Sequence, residues 1–194
     1  MEQLLQLINA IYFLSDELEL LLRKKVRRDD FKKKQKLLRP GQRCNRLYFI
    51  ERGLLRIYAR QGGKEYSSWF MKEGDIATSV TSFFGRSPSI ETIEVLEDCT
   101  LWSIEWQELE ELYERFPPFR KVGQRLTEKY YCQDDRLKLN LLMKSPDEFY
   151  DYLAEHHSGV VQRVPTRYLA SYMRISAQTL LPIKKRWNET HKEK

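Results

Sequence analysis

The sequence predicts an α+β chain with an antiparallel β region between helices, followed by a long helix and an all-α C-terminal region. Three observations carry this prediction. Short β-like runs separated by glycine turns fill residues 37–106. An apolar stripe at helical spacing continues through residues 119–143. Two short apolar patterns joined by a tight turn follow within residues 164–187.

The β region contains several short runs with turn residues between them. Gly62 and Gly63 can adopt positive φ without steric strain, so they predict a tight hairpin. Regular spacing of such runs is typical of a sandwich or barrel. The predicted strands are RLYFI (46–50), LLRIYA (54–59), YSSWFM (66–71), IETIEV (90–95) and TLWSI (100–104).

Helical patterns precede the β region. Residues 3–22 carry apolar side chains at helical spacing and predict one amphipathic helix rather than a signal peptide. The stretch 23–39 contains ten Lys or Arg. Such a stretch could contact nucleic acid, but a solvated helix end followed by an edge strand is favoured, because lysines commonly protect sheet edges.

The composition narrows the classes of protein. The chain has 194 residues, of which 41% are hydrophobic, enough to form a core. It has no run of 18 apolar residues, so no membrane span is expected. Cys44, Cys99 and Cys132 are few and widely spaced, which favours free thiols in a cytoplasmic protein over a disulfide framework.

The net charge of +6 lies at one end of the chain. Residues 1–159 contain 26 Lys and Arg against 26 Asp and Glu, whereas residues 160–194 contain 8 against 2. A basic segment with apolar periodicity beside a neutral remainder is typical of a module that binds a polyanion. A disordered basic tail is the alternative.

The helix predicted over 119–143 would be roughly 37 Å long at 1.5 Å per residue. Because it is longer than a domain of this size needs, we expect part of its stripe to pair with a second chain. The alternative is that the helix packs wholly on its own chain, and Gln133 interrupts the stripe. The stripe consists of Phe119, Val122, Leu126, Tyr130, Leu137 and Leu141.

A further helix over 147–157 is predicted to begin at the sequence Ser145-Pro146-Asp147. Gly159 is predicted to end this helix. Beyond it, Pro165 and Thr166 predict a short helix, and Ser176 caps a second one. Two helices that cross sharply need a small residue at the crossing and an apolar residue in the turn. Ala170 and Ile175 fill these positions, while Leu169, Met173, Leu180 and Ile183 supply the shared core.

The run RVPTRYLASYMRISAQTL resembles the helix-turn-helix of the Crp/Fnr family of bacterial regulators, in particular its short-tailed, Bacteroidetes-like members. The segment GDIATSVTSFFGRSPSIETIEVLEDCTLWSI is similar to the cyclic-nucleotide-binding β-roll of that family. The resemblance implies a β-roll (double-stranded β-helix) sensor domain over 1–116, a homodimerising helix over 117–143 and a DNA-binding domain over 144–194. Double-stranded DNA and a small-molecule effector are the implied partners.

The resemblance also indicates where an effector would bind. Gly74 and Asp75 loosely match the pair that holds the ribose in cyclic-nucleotide binders. The family's phosphate-binding arginine falls near Ser89, where this chain has none, and Arg86 is the nearest substitute. Because a buried phosphate needs a cationic partner, we expect an effector other than a cyclic nucleotide, or a pocket filled by side chains.

The same comparison gives the expected DNA contacts. Gln178 and Thr179 are candidates for base edges, with Ala177 beside them. The expected phosphate contacts are Thr166, Arg167, Ser176, Lys184, Lys185 and Arg186. Pro182 within the second helix and Arg174 at a turn position that favours glycine both weaken sequence-specific recognition.

The sequence also bears on two other classes of function. Pro182 is compatible with a ligand-binding regulator whose helix-turn-helix no longer reads DNA. An enzyme is disfavoured, because His156, His157 and His191 lie outside the β region and lack the spacing of metal ligands. We therefore expect no catalytic residue, metal or cofactor.

Overall fold

The structure is a computed structural model that describes residues 1–191. Its helices are α1 (Glu2–Asn9), α2 (Asp16–Lys25), α3 (Val80–Gly85), α4 (Trp106–Arg115), α5 (Arg120–Met143), α6 (Pro146–His156), α7 (Ser158–Val161), α8 (Thr166–Tyr172) and α9 (Ala177–Thr190). Its strands are β1 (Arg27–Phe31), β2 (Lys36–Leu38), β3 (Arg46–Arg52), β4 (Leu55–Gln61), β5 (Lys64–Met71), β6 (Ile76–Ala77), β7 (Glu91–Val95) and β8 (Cys99–Glu105). None of the described helices is long and apolar enough to span a membrane.

The strands form two four-stranded antiparallel sheets, which confirms the predicted antiparallel β-roll with flanking helices. The first sheet has the order β1-β8-β3-β6 and the second β2-β7-β4-β5. Their inner faces share one core, in which Ile50 and Leu101 of the first sheet and Leu55 and Ile93 of the second are fully buried. In β7, Ile93 and Val95 are buried and Glu94 between them is not, because successive side chains of a strand point to opposite faces. In β3, by contrast, three successive residues from Tyr48 are buried.

The predicted hairpin between β4 and β5 is confirmed. Gly62 and Gly63 have φ values of 57° and 77°, the combination that a two-residue turn needs to match the twist of its strands. The basic stretch from residue 23 forms the end of α2 and then β1 and β2. Both strands lie at sheet edges, so the favoured interpretation of that stretch is correct.

The prediction of one helix over 3–22 is wrong. Two helices, α1 and α2, are separated at residues 10–15. The break occurs because polar side chains satisfy backbone N–H groups there: Ser15 Oγ accepts from Leu18 at 3.3 Å, and Asn9 Oδ1 accepts from Leu14 at 3.1 Å. Periodicity alone does not reveal these local hydrogen bonds.

The long helix exists, but its predicted stripe faces its own chain. Phe119 and Val122 are buried in the β-roll core, and Leu126 and Tyr130 pack against that core. Leu137 and Leu141 pack on a second core formed with the C-terminal helices. Leu126, Tyr130 and Leu141 remain partly exposed, so the pairing of part of this stripe with a second chain stays a prediction. Further apolar residues of α5, among them Leu139 and Leu142, are exposed as well.

The second core joins the C-terminal helices to the second sheet. Phe149, Leu169 and Leu180 are buried in it together with Leu54 and Leu96, which flank the strands of the β-roll. The helical region is therefore packed directly on the sheet.

The predicted stop at Gly159 is wrong, because α6 ends at His156 and Gly159 lies within α7.

Candidate nucleic-acid interface

Helices α8 and α9 form the predicted two-helix unit. Leu169, Ala170 and Met173 of the first helix and its end are buried, and Leu180 and Ile183 of the second meet them. The backbone N–H of Ile175 in the turn donates to the carbonyl of Ala170 at 3.0 Å, which closes the turn beside the small side chain. This packing fixes the crossing of the two helices.

The turn contains the backbone strain that the sequence predicted. Arg174 has φ 58°, in the left-handed region where a side chain is disfavoured. Ser176 then caps α9, and its Oγ accepts from the N–H of Thr179 at 3.0 Å. The cap satisfies one of the free donors at the start of the helix, so α9 begins at a fixed position.

Pro182 lies inside α9, which continues without interruption from Ala177 to Thr190. The missing N–H of Pro182 would have donated to the carbonyl of Gln178, one turn earlier. Both residues are exposed, so water can reach this part of the helix. The proline therefore does not end the helix.

The predicted contact residues lie on different sides of α9. Gln178, Thr179 and Lys185 are exposed, whereas Ala177 is half-buried. Arg186 is exposed but forms an ion pair with Asp147 of α6. The exposed side of α9 therefore presents Gln178 and Lys185, although Lys185 Nζ lies 3.9 Å from Glu189. Part of the charge of Arg186 is used within the chain.

A second group of predicted contacts meets where α8 begins. Lys184 is half-buried, and its Nζ donates to Thr166 Oγ1 at 3.4 Å. Burial lowers the pKa of Lys184. Arg167 is exposed on α8 nearby. Within residues 1–191 neither Arg167 nor Lys184 forms an ion pair with a carboxylate, so both cations are available to a phosphate.

One basic residue of the C-terminal segment has a different role that the charge pattern did not reveal. Arg163 binds Glu73 at 2.7 Å and Glu97 at 2.6 Å, two carboxylates in turns of the β-roll. Glu73 also accepts the backbone N–H of Gly53 at 2.7 Å. The guanidinium and this N–H lower the pKa of Glu73 to about 2. Arg163 therefore ties the helical region to the sheets.

The four predicted effector residues have separate hydrogen-bond partners. Gly74 is exposed in a turn, and the carboxylate of Asp75 accepts the backbone N–H of Lys72 at 3.0 Å. Burial raises the pKa of Asp75. Within residues 1–191 no hydrogen bond joins either residue to Arg86 or Ser89.

The guanidinium of Arg86 is engaged by its own neighbours rather than by Ser89. This guanidinium donates to the carbonyls of Cys44 and Phe83 and, at 2.7 Å, to Asn45 Oδ1, and it stacks on the ring of Trp106. These contacts hold it at the end of α3.

Ser89 is buried, and it belongs to a partly exposed network that contains a carboxylate. Its Oγ lies 3.1 Å from Ser79 Oγ, which donates to Glu91 at 2.6 Å. Ser68 Oγ also donates to Glu91, at 3.3 Å. The Glu91 carboxylate thus lies close to Ser89, the position near which the resemblance places a phosphate-binding arginine.

Comparisons with known proteins agree with this architecture. Residues 28–116 match the family of cyclic nucleotide-binding domains. The chain is similar to a putative Crp/Fnr-family transcriptional regulator from Eubacterium rectale, with a TM-score of 0.70 and 18% identity over 91% of this chain and 84% of that one. No curated protein matches the chain.

Two further solved structures share the fold. The c-di-GMP-responsive global regulator CLP of Xanthomonas campestris gives a TM-score of 0.69 at 16% identity, over 91% of this chain and 93% of that one. The catabolite activator protein of Thermus thermophilus gives a TM-score of 0.56 at 18% identity, over 95% of this chain and 87% of that one. The chain therefore has the fold of Crp/Fnr regulators, with a cyclic nucleotide-binding type of β-roll.

Proposed function

We propose that this protein is a cytoplasmic, dimeric transcription regulator of the short-tailed Crp/Fnr type, and that it binds double-stranded DNA rather than catalysing a reaction. The observation that carries the proposal is the crossing pair α8–α9, in which Ser176 caps α9. Within residues 1–191 its Arg167 and Lys184 have no carboxylate partners. Thr166, Ser176 and Lys185 complete its phosphate-binding side, and Gln178 and Thr179 its base-reading side.

The dependence of duplex binding on salt tests this proposal. We expect the affinity to fall steeply with salt, since each phosphate contact contributes about −0.9 to the log–log slope. Replacing Arg167 and Lys184 together with Ala should make the slope shallower by about 2 and weaken binding to all sequences alike. Fluorescence anisotropy with labelled duplexes measures both quantities. Lys33→Ala, an exposed change on the β-roll, is the matched control; a flat salt dependence of the unaltered protein contradicts the proposal.

The proposed dimer uses the outward face of α5. Cys132, Leu139 and Leu142 are exposed there at steps of seven and three, the spacing of a coiled-coil seam. A dimer that reads two half-sites needs its two α9 helices about 34 Å apart, one turn of DNA. Replacing Leu139 and Leu142 with Lys should shift the protein to a monomer in sedimentation equilibrium, whereas the control Lys121→Ala should leave the dimer intact. If the unaltered protein is already a monomer, the proposed dimer is contradicted.

We further propose that any effector is not a cyclic nucleotide. The Glu91 carboxylate beside Ser79 and Ser89 supports this, because it would repel a phosphate. Isothermal titration with cAMP and cGMP should show no saturable binding up to about 1 mM, a free energy of about −4 kcal/mol. Micromolar binding of either nucleotide contradicts it.

A second candidate function rests on Leu181. This side chain is 57% exposed beside Pro182 on the outer side of α9, where DNA-reading helices carry polar groups. Such a surface would suit a protein partner if the helix-turn-helix no longer reads DNA. The variant Pro182→Arg distinguishes the two functions. If the unaltered protein binds duplex DNA weakly or not at all and the variant binds it strongly, the second candidate is favoured.

A further inference from the structure

Arg56 on β4 is a fully buried cation at the contact between the sheet and α8. Its guanidinium lies between two aromatic rings, 4.2 Å from the centre of Tyr58 and 3.7 Å from that of Tyr168. It pairs with Glu65 at 2.8 Å and with Glu94 at 3.6 Å. A planar guanidinium suits this arrangement because it can stack and pair at the same time.

Hydrogen bonds hold α8 against β5 at the same place. Ser67 Oγ donates to the carbonyl of Tyr168 at 3.2 Å, and its backbone N–H donates to Ser171 Oγ at 3.0 Å. Ser171 Oγ in turn donates to the carbonyl of Glu65 at 2.6 Å. The backbone at Tyr168 is therefore fixed relative to the sheet, and its ring is fixed by Arg56.

Tyr168 also holds the neighbouring exposed arginine. The guanidinium of Arg167 lies 4.6 Å from the centre of the Tyr168 ring, and its Nη2 donates to the Tyr168 hydroxyl at 2.8 Å. One continuous column, Arg56–Tyr168–Arg167, thus runs from the sheet to the surface of α8. An arginine held in one orientation loses less side-chain entropy when it binds a ligand.

We propose that Arg56 is a positioning residue for DNA binding: through the ring and hydroxyl of Tyr168 it orients Arg167 toward a DNA phosphate. This inference rests on the proposed function. It gives the β-roll a direct influence on one DNA contact, because any movement of β4 would displace Tyr168 and release Arg167.

A double-mutant cycle tests the proposal. Arg56→Lys keeps a charge beside Glu65 and Glu94 but removes the planar stack. We expect it to weaken duplex binding about three- to tenfold when Arg167 is present. In the Arg167→Ala background, the same change should weaken binding less than about twofold, because the two residues act through one contact. An equal loss in both backgrounds, or no loss in either, overturns the proposal.

Tyr168→Phe provides the second variant, which keeps the ring and removes the hydroxyl that Arg167 binds. It should weaken binding with Arg167 present and have no effect in the Arg167→Ala background. Because Arg56 is proposed to act through this hydroxyl, an unchanged affinity with Arg167 present overturns the proposal even if Arg56→Lys does not fold. Circular dichroism melting verifies that each variant is folded. If the unaltered protein does not bind duplex DNA, the proposed function fails; if it binds and the cycle is additive, only this inference fails.

Discussion

Replacing Arg163 with methionine is expected to lower the free energy of unfolding by about 1–3 kcal/mol at pH 7. The change removes a guanidinium that donates to two carboxylates, Glu73 and Glu97. The magnitude is held to this range because the three side chains are between 29% and 38% exposed, so water screens the pairs. Urea denaturation measures the difference. Lys185→Met, on an exposed part of α9, should change the stability by less than about 0.5 kcal/mol.

The contribution of the Arg163–Glu73 ion pair to the free energy of unfolding should depend on pH. The pKa of Glu73 is lowered from 4.5 to about 2 in the folded state. A lowered pKa stabilises the folded state above the unfolded value, and this stabilisation is lost as the pH falls through the folded value. The difference in free energy of unfolding between the unaltered protein and the Arg163→Met variant should therefore be largest above pH 4.5 and shrink toward pH 2. A difference that stays constant over this pH range contradicts the lowered pKa of Glu73.

Replacing Leu180 with alanine is expected to have the largest effect, a loss of about 2–5 kcal/mol of stability. Leu180 is fully buried in the core that joins α9 to the other C-terminal helices. Its truncation leaves a cavity where the two helices cross. Calorimetric melting measures the loss.

Leu181 is the matched control for this change. It is the next residue of the same helix but is 57% exposed, so Leu181→Ala should change the stability by less than about 0.5 kcal/mol. Leu180→Ala should also weaken duplex binding, although its side chain is fully buried, because α9 loses its fixed position. Similar effects of the two substitutions on stability would contradict the described packing.

Features set by neighbouring residues were predictable from the sequence. The Gly62-Gly63 hairpin depends on local backbone freedom, and the Ser176 cap on one side chain and an N–H three residues later. The short periodic pattern around Ala170 and Leu180 likewise specified two crossing helices. Local errors arose where a hydrogen bond interrupted a periodic pattern, as at Ser15 between α1 and α2.

The sequence by itself determined the order of antiparallel β region, long helix and two short crossing helices, because turn chemistry and periodicity act over a few residues. It also determined the concentration of positive charge at one end of the chain. Only the tertiary structure decided how each charge is used. Arg163 pairs with Glu73, distant in the chain, and Arg56 stacks on Tyr168, whereas Arg167 stays exposed. It also decided that the apolar stripe of α5 covers its own chain. Such pairings depend on which surfaces the fold brings together, and neither the composition nor the spacing of residues specifies these long-range contacts.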